Sequence, residues 1–450
     1  MGENENNVLP HLFLLSKKMK ESRFNIYLEY KGATILYNTL SEKIIMLSNE
    51  LKRRIDSSGL ICTGNENNAF YQSLLGGGML IDDTCNEDEL IEGMIKKEDF
   101  SESEYHLIIN PTLDCNFDCW YCFEQKIRGS AMQQSVSDAC IKLIANIISS
   151  KEDIRKFTLS FFGGEPLLYY KKTALPIINA LHERIKGREI EPNIHFTTNG
   201  YLLSPSLLYS MNSLGVSSLQ ITFDGDREHH NQTRFSNKGG SYDKIVQNIK
   251  MILSQTEIQV ILRINYTRKN IKGFLSLLAE FESSPNTDRI ILSPNQVWQD
   301  KDLSESESLK VQSILEEIYK RARIIGMYIK EPSGIGRLRH SCYADKKNQA
   351  CVNFDGMVFK CNARDFKPTS AMGKLNEDGK IIWSDAERLW MSSKYQNAAC
   401  RKCSIFPVCA GGCRRLTYNN LGREYCMYKF DEGRKKQMVL DMLLHEMADN

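Results

Sequence analysis

The chain has 450 residues, of which 42% are hydrophobic and 25% charged, with 58 Lys+Arg against 56 Asp+Glu. At about 100–200 residues per domain this length allows several domains and a large core, which excludes a small stapled scaffold. A net charge of +2 offers no bulk attraction for nucleic acid or for an acidic membrane surface, so neither is expected as a partner. No apolar run approaches the roughly 18–20 residues that cross a bilayer. The N-terminus carries acidic and amide residues where a secretory signal is positive, so a cytoplasmic location is expected. Of the 14 cysteines most fall in tight clusters at short fixed spacings, which in a cytosolic chain favours metal over disulfides.

In chain order the sequence divides into three zones. Residues 1–100 open with strand-like runs at 24–30 and 33–38 around the turn Lys31-Gly32, a hairpin signal. Helical patches at 44–55 and 68–75 follow, then the triple glycine Gly76-Gly77-Gly78 and an acidic stretch, 82–104, that reads as a linker. This predicts a small, separate α+β unit. Residues 101–330 alternate short apolar strands at 106–110, 157–162, 193–198, 219–223, 259–264 and 289–292 with helical patterns at 139–149, 170–185, 205–214, 242–253, 273–282 and 309–325. The predicted fold class is α/β. Right-handed crossovers would curl these βα units into a partial (βα)6 barrel of the TIM type, with functional loops at the C-terminal ends of the strands. Residues 331–450 read as short of helix until a charged tail from about Phe430, and they hold eight cysteines.

The loop after the first strand reads DCNFDCWYCFE and places Cys115, Cys119 and Cys122 together. Three thiolates at these spacings reach three irons of a cubane and leave the fourth iron open for chemistry. Structural zinc normally closes with four protein ligands, and no fourth Cys or His is at hand. With this motif the chain resembles the radical SAM enzymes over about residues 105 to 300. The resemblance implies a 4Fe-4S cluster whose open iron is chelated by S-adenosylmethionine (SAM), which one electron cleaves to methionine and a 5′-deoxyadenosyl radical. Gly163-Gly164-Glu165-Pro166 matches the family's GGEP. There the glycines let backbone approach the methionine amino group, and Glu165 favours that cation. Thr197-Thr198-Asn199-Gly200 and Thr222-Phe223-Asp224-Gly225 resemble loops that touch the SAM ribose and carboxylate, which makes Asn199, Thr222 and Asp224 candidate contacts. Arg234 resembles an arginine that pairs with the carboxylate or ribose, its alternative being a solvated surface cation. Tyr121 resembles the position that packs on adenine.

In the third zone Cys342, Gly356, Cys361, Cys400, Cys403, Cys409, Cys413 and Cys426 reproduce the pattern of the SPASM extension, with Cys351 as an eighth cysteine. Carried over, the arrangement gives Cys342, Cys351, Cys361 and Cys413 to one auxiliary 4Fe-4S cluster and Cys400, Cys403, Cys409 and Cys426 to a second. The zone is then a C-terminal cysteine-rich iron-sulfur domain, and the chain holds three clusters. Zinc ribbons are the alternative for any CxxC pair. Cys62, Cys85 and Cys140 are left as plain thiols.

Enzymes with this layout act mostly on peptides or proteins. The resemblance implies an oxidoreductase that matures a ribosomally made precursor peptide by a thioether or carbon-carbon crosslink, with a reducing partner such as flavodoxin or ferredoxin. The N-terminal zone faintly resembles a leader-recognition unit that would capture the precursor by strand addition, at an edge containing Ile35 to Asn38. An anaerobic sulfatase-maturating enzyme, forming formylglycine, is the second reading. In that group an Asp follows the last cysteine of the GxxxxC element and acts as base, but here the residue is Asn362, with Asp365 the nearest carboxylate and a weak catalytic candidate. A non-catalytic iron-sulfur or zinc protein is the reading from another class.

Overall fold

The computed structural model describes residues 18–65, 68–236, 239–300, 303–330, 342–363 and 366–449. Contacts group the chain into two units, one of Phe100–Gly334 with Tyr343–Leu389, the other of Met1–Asp99, Ile335–Cys342 and Trp390–Asn450. The three consecutive zones of the sequence therefore do not map one to one onto compact units. The third zone is shared between them.

The first unit is built on β1 (Glu104–Ile109), β2 (Lys156–Phe161), β3 (Glu191–Thr198), β4 (Val216–Phe223), β5 (Gln259–Tyr266) and β6 (Ile290–Gln296), hydrogen-bonded in chain order and all parallel. Between and after them run α1 (Gln134–Ser150), α2 (Leu175–Ile185), α3 (Pro205–Ser213), α4 (Tyr242–Gln255), α5 (Gly273–Ala279) and α6 (Glu305–Ile325). Two short parallel strands extend the sheet, Tyr328–Ile329 beside β6 and Gln349–Val352 beside β1. Antiparallel strands Met357–Phe359, Gly373–Leu375 and Ile381–Trp383 then complete eleven in all.

Strand periodicity explains this layout. One face carries Leu107 from β1, Phe157, Leu159 and Phe161 from β2, Phe196 from β3, Ile221 from β4, Leu262 from β5 and Leu292 from β6, in one core with side chains of α1, α2 and α4. The alternate positions, His106, Ser160, His195, Gln220, Arg263 and Ser293, are polar and lie on the opposite face. Burying one such Leu or Phe contributes roughly 1.5–3 kcal/mol. α6 starts at Glu305, ahead of the expected 309, because Ser304 and Glu307 form a reciprocal capping box.

In the second unit Asn25–Tyr30, Ala33–Asn38 and Lys43–Leu47 form an antiparallel sheet. The expected hairpin is present, and its turn residues Lys31 and Gly32 both have positive φ, 49° and 77°. Three expectations are corrected. Ile35 to Asn38 lies in the central strand, paired on both sides, so it offers no edge. The patch at 44–55 begins as strand Lys43–Leu47 and only then becomes helix Asn49–Asn65, since a third strand satisfies the backbone of Ala33–Asn38. The acidic stretch at 82–104 contains the helix Glu87–Asp99, with acids in its first turn and Lys96 and Lys97 in its last, as the helix dipole favours.

This sheet is covered on both faces. Ile26, Leu28, Ile35 and Tyr37 pack on Ile405, Val408, Val439 and Leu443, while Leu36 and Leu47 pack on Ile55, Leu60 and Leu74. At the end of Glu87–Asp99, Asp99 accepts from Arg414 at 2.5 Å with both side chains almost fully buried. Described residues of the N-terminal zone thus pack in shared clusters with the segment of the last cysteines, where the sequence suggested a separate unit. The region after Pro332 also holds more helix than expected, including Asp385–Gln396.

Phe161 and Phe196 stack at 4.6 Å in the first unit's core. Phe196→Ala is expected to cost about 3–5 kcal/mol through lost burial and a cavity, read by anaerobic denaturant titration.

Candidate functional site

β1 ends at Ile109, and the following loop is braced by its own side chains. Thr112 donates to the Ser130 carbonyl at 2.5 Å, Asp114 accepts from the backbone of Cys115 at 2.8 Å and of Gly129 at 2.9 Å, and Arg128 donates to the Cys115 carbonyl at 2.7 Å. Cys115, Cys119 and Cys122 sit in this fixed frame. Cys115 Sγ accepts from the Phe117 N–H at 3.4 Å and from Asn199 Nδ2 at 3.8 Å. Burial, then Glu165, pushes the Cys115 thiol up to about 12, and burial raises Cys122. Among the described residues no three of His, Cys, Asp or Glu are grouped so as to hold a metal ion. Three soft sulfur donors in one loop fit the chemistry of an iron-sulfur cluster.

The turn after β2 presses against this loop. A Cβ on Gly164 would stand 2.0 Å from the Asp114 carbonyl oxygen, and one on Gly163 would stand 2.3 Å from that of Thr112. Gly164 N–H donates to Thr112 O at 3.0 Å and Glu165 N–H to Asp114 O at 2.8 Å. The bare glycines therefore serve the cysteine loop. Glu165 is fully buried, and its carboxylate accepts from Leu167 N–H at 3.0 Å, Thr198 Oγ1 at 2.7 Å and Asn199 N–H at 2.8 Å. Burial pushes it up to about 7 despite those donors. It ties the end of β2 to the end of β3, a positioning role the sequence did not reveal.

A second network joins the cysteine loop to β4 and β5. Tyr121 OH donates to Asp224 Oδ2 at 2.8 Å, Arg234 Nε donates to the same oxygen at 2.5 Å, and Arg234 Nη2 and Asn265 Nδ2 each donate to Tyr121 OH at 3.0 Å. Arg234 is 9% exposed, which removes the solvated-surface alternative. Burial raises the Asp224 carboxyl, and Arg234 opposes it. Asp224 Oδ1 is buried with no partner among the described residues, a place where a donor from a bound molecule fits. Thr222 is buried at the end of β4 beside it. Asn265, and Asn116, which accepts from Asn199 Nδ2 at 2.8 Å, were not singled out from sequence. Lone amides carry no motif.

Cys400, Cys403, Cys409 and Cys426 line one pocket of about 30 Å³ in the second unit, with Phe406, Tyr425 and Lys435 among its walls. Asn397 Nδ2 donates to Cys400 Sγ at 3.1 Å. Burial and the neighbouring thiols push Cys400 and Cys409 up to about 12. The other four cysteines divide between the units: Cys351 and Cys361 are buried in the first, Cys342 and Cys413 exposed in the second. Cys351 Sγ accepts from Asn110 Nδ2 at 3.7 Å. Asn362 lies against the Tyr343 hydroxyl, whereas Asp365 falls outside the described residues. Cys140 is buried in α1, where burial pushes its thiol up to about 12, as an inert core thiol requires. Cys62 is exposed and Cys85 half-buried.

Tyr121→Phe removes a hydroxyl shared by three partners and is expected to cost about 1–3 kcal/mol, measured by anaerobic denaturant titration.

Residues 109–278 match the family model described as the Radical SAM superfamily. Over 340 residues the chain is 23% identical to the cysteine-type anaerobic sulfatase-maturating enzyme of Clostridium novyi, covering 69% of this chain and 87% of that one. It is 22% identical over 325 residues to the radical SAM cyclopropyl synthase TigE of Paramaledivibacter caminithermalis, covering 66% and 65%. In fold it is similar to anSMEcpe solved with AdoMet and the Cp18Cys peptide, with TM-score 0.55, 18% identity, and coverage of 77% and 99%. The family match starts at the last residue of β1 and runs into α5, taking in the loops just described through β5, so residues 109–278 form a Radical SAM domain.

Proposed function

We propose that this enzyme is a radical SAM/SPASM peptide maturase acting on a ribosomally made precursor, in which it installs a thioether, a carbon-carbon crosslink or a related modification. The observation that carries the reading is the pairing of the braced three-cysteine loop with a separate pocket lined by four cysteines. Cys115, Cys119 and Cys122 would hold the SAM-binding 4Fe-4S cluster. Cys400, Cys403, Cys409 and Cys426 would hold one auxiliary cluster, and Cys342, Cys351, Cys361 and Cys413 the other. With SAM bound at that cluster, the site would have a source of the radical that abstracts hydrogen from substrate. Gly163, Gly164 and Glu165 hold the cysteine loop and the Asn199 turn in register for SAM. Asp224 Oδ1 offers a buried acceptor to a ribose hydroxyl, while Arg234 and Tyr121 fix that carboxylate. The contacts from the β1 loop to the ends of β3, β4 and β5, with Phe123 stacked on Trp298 beyond β6 at 5.9 Å, support a curled partial barrel with its mouth at this end.

Anaerobic sulfatase maturation is the second reading, favoured by the relative from Clostridium novyi and disfavoured by Asn362, which cannot take a proton where that group has Asp. Formylglycine in a Cys- or Ser-containing sulfatase peptide after incubation with enzyme, SAM and reductant would establish it.

Reconstituted enzyme is expected to hold about twelve irons per chain, four for each of three clusters, and Cys119→Ala is expected to lose 5′-deoxyadenosine formation. Iron at about four per chain, or zinc in its place, would overturn the auxiliary clusters. For the precursor, the edge strand Lys43–Leu47, with Ile44 and Met46 exposed, is the proposed site of strand addition. Ile44→Asp with Met46→Asp is expected to weaken binding of labelled precursor by about tenfold or more at unchanged iron content. Equal affinities would return this sheet to a structural role.

A further inference from the structure

Lysine is almost never fully buried, and two lysines lie at the four-cysteine pocket. Lys435 is one of its wall residues and its side chain is 8% exposed. Its ammonium donates to Glu432 Oε1 at 2.5 Å, but that carboxylate is 65% exposed, so water screens it far more than the lysine. Lys394 is 2% exposed, and its stem borders Gly411, another wall residue, where a Cβ would meet Lys394 Cγ at 3.4 Å. Lys435 thus shares the pocket wall with Cys400, Cys403, Cys409 and Cys426, and Lys394 stands behind that wall at Gly411.

We infer that Lys394 and Lys435 supply two positive charges at this pocket, one in its wall and one behind it, and raise the electron affinity of the cluster held there. The inference rests on the auxiliary-cluster reading of the pocket. Four thiolates around a cluster bring net negative charge into a low-dielectric site, and reduction adds one more negative charge. A nearby cation stabilises the reduced state more than the oxidised state, so the reduction potential rises. The Asn397 amide on Cys400 Sγ works in the same direction. Lys394 and Lys435 are positioning residues, acting through the cluster rather than on substrate.

The test is a redox titration of the reconstituted full-length enzyme, followed by electron paramagnetic resonance, comparing wild type with Lys435→Gln, Lys435→Arg and Lys394→Met. Lys435→Gln is expected to move one cluster's midpoint to more negative potential by a tenfold change or more in the one-electron equilibrium, about 59 mV, with Lys435→Arg restoring it. Lys394→Met should shift the same signal. Full iron content with every midpoint unchanged in Lys435→Gln overturns the inference and leaves the cluster site standing. Wild-type enzyme with no iron beyond that of the three-cysteine loop overturns both.

Discussion

The structure around the candidate site depends on how closely the turn after β2 approaches the cysteine loop. Two glycines without side chains let Gly164 and Glu165 donate to the carbonyls of Thr112 and Asp114, and any Cβ there would occupy the space of those oxygens. From this contact the buried Glu165 carboxylate reaches across to Thr198 and Asn199, and Asn199 in turn reaches Asn116 and Cys115. Three loops from three adjacent strands are thereby fixed through one carboxylate. A buried acid without its donors would be costly, so the same group that orders the site also constrains it.

The polar residues divide the sheet into two chemical faces. Apolar side chains turned toward the helices supply the core, and the opposite face carries His106, Ser160, His195 and Ser218, with His106 bonded to Ser160 and His195 to Ser218, each at 2.8 Å. Burial lowers both imidazoles, to about 3 and about 4, so both are neutral near pH 7. Each imidazole is thus a neutral partner to a hydroxyl, and Arg263 is the charged side chain among the residues named on that face.

In the second unit the N-terminal sheet and the C-terminal helix Glu432–Asp449 close over the cysteine segment from two directions. Phe24, Ile91 and Ile95 add a further layer against Phe406 and Ala410, with Cys400 and Cys403 alongside. Residues at the two ends of the chain therefore share responsibility for one pocket. A peptide added to the N-terminal sheet would bind the same body that carries the four thiols.

What the sequence determined by itself is what is written at short range. The cysteine spacings, the GGEP turn, the hairpin at Lys31-Gly32 and the alternation of six strands with helices are all local patterns, and the hairpin, strands and helices are found where expected to within a few residues. The tertiary structure decided the rest. Asp99 and Arg414 are 315 residues apart, and neither has a local signature that names the other. That Ile35 to Asn38 is a central strand, that Glu165 turns its carboxylate to β3, and that Lys435 lines the four-cysteine pocket all depend on which segments meet. Periodicity states which residues need burial, but the partner that buries them or satisfies their charge is chosen only when the chain closes on itself.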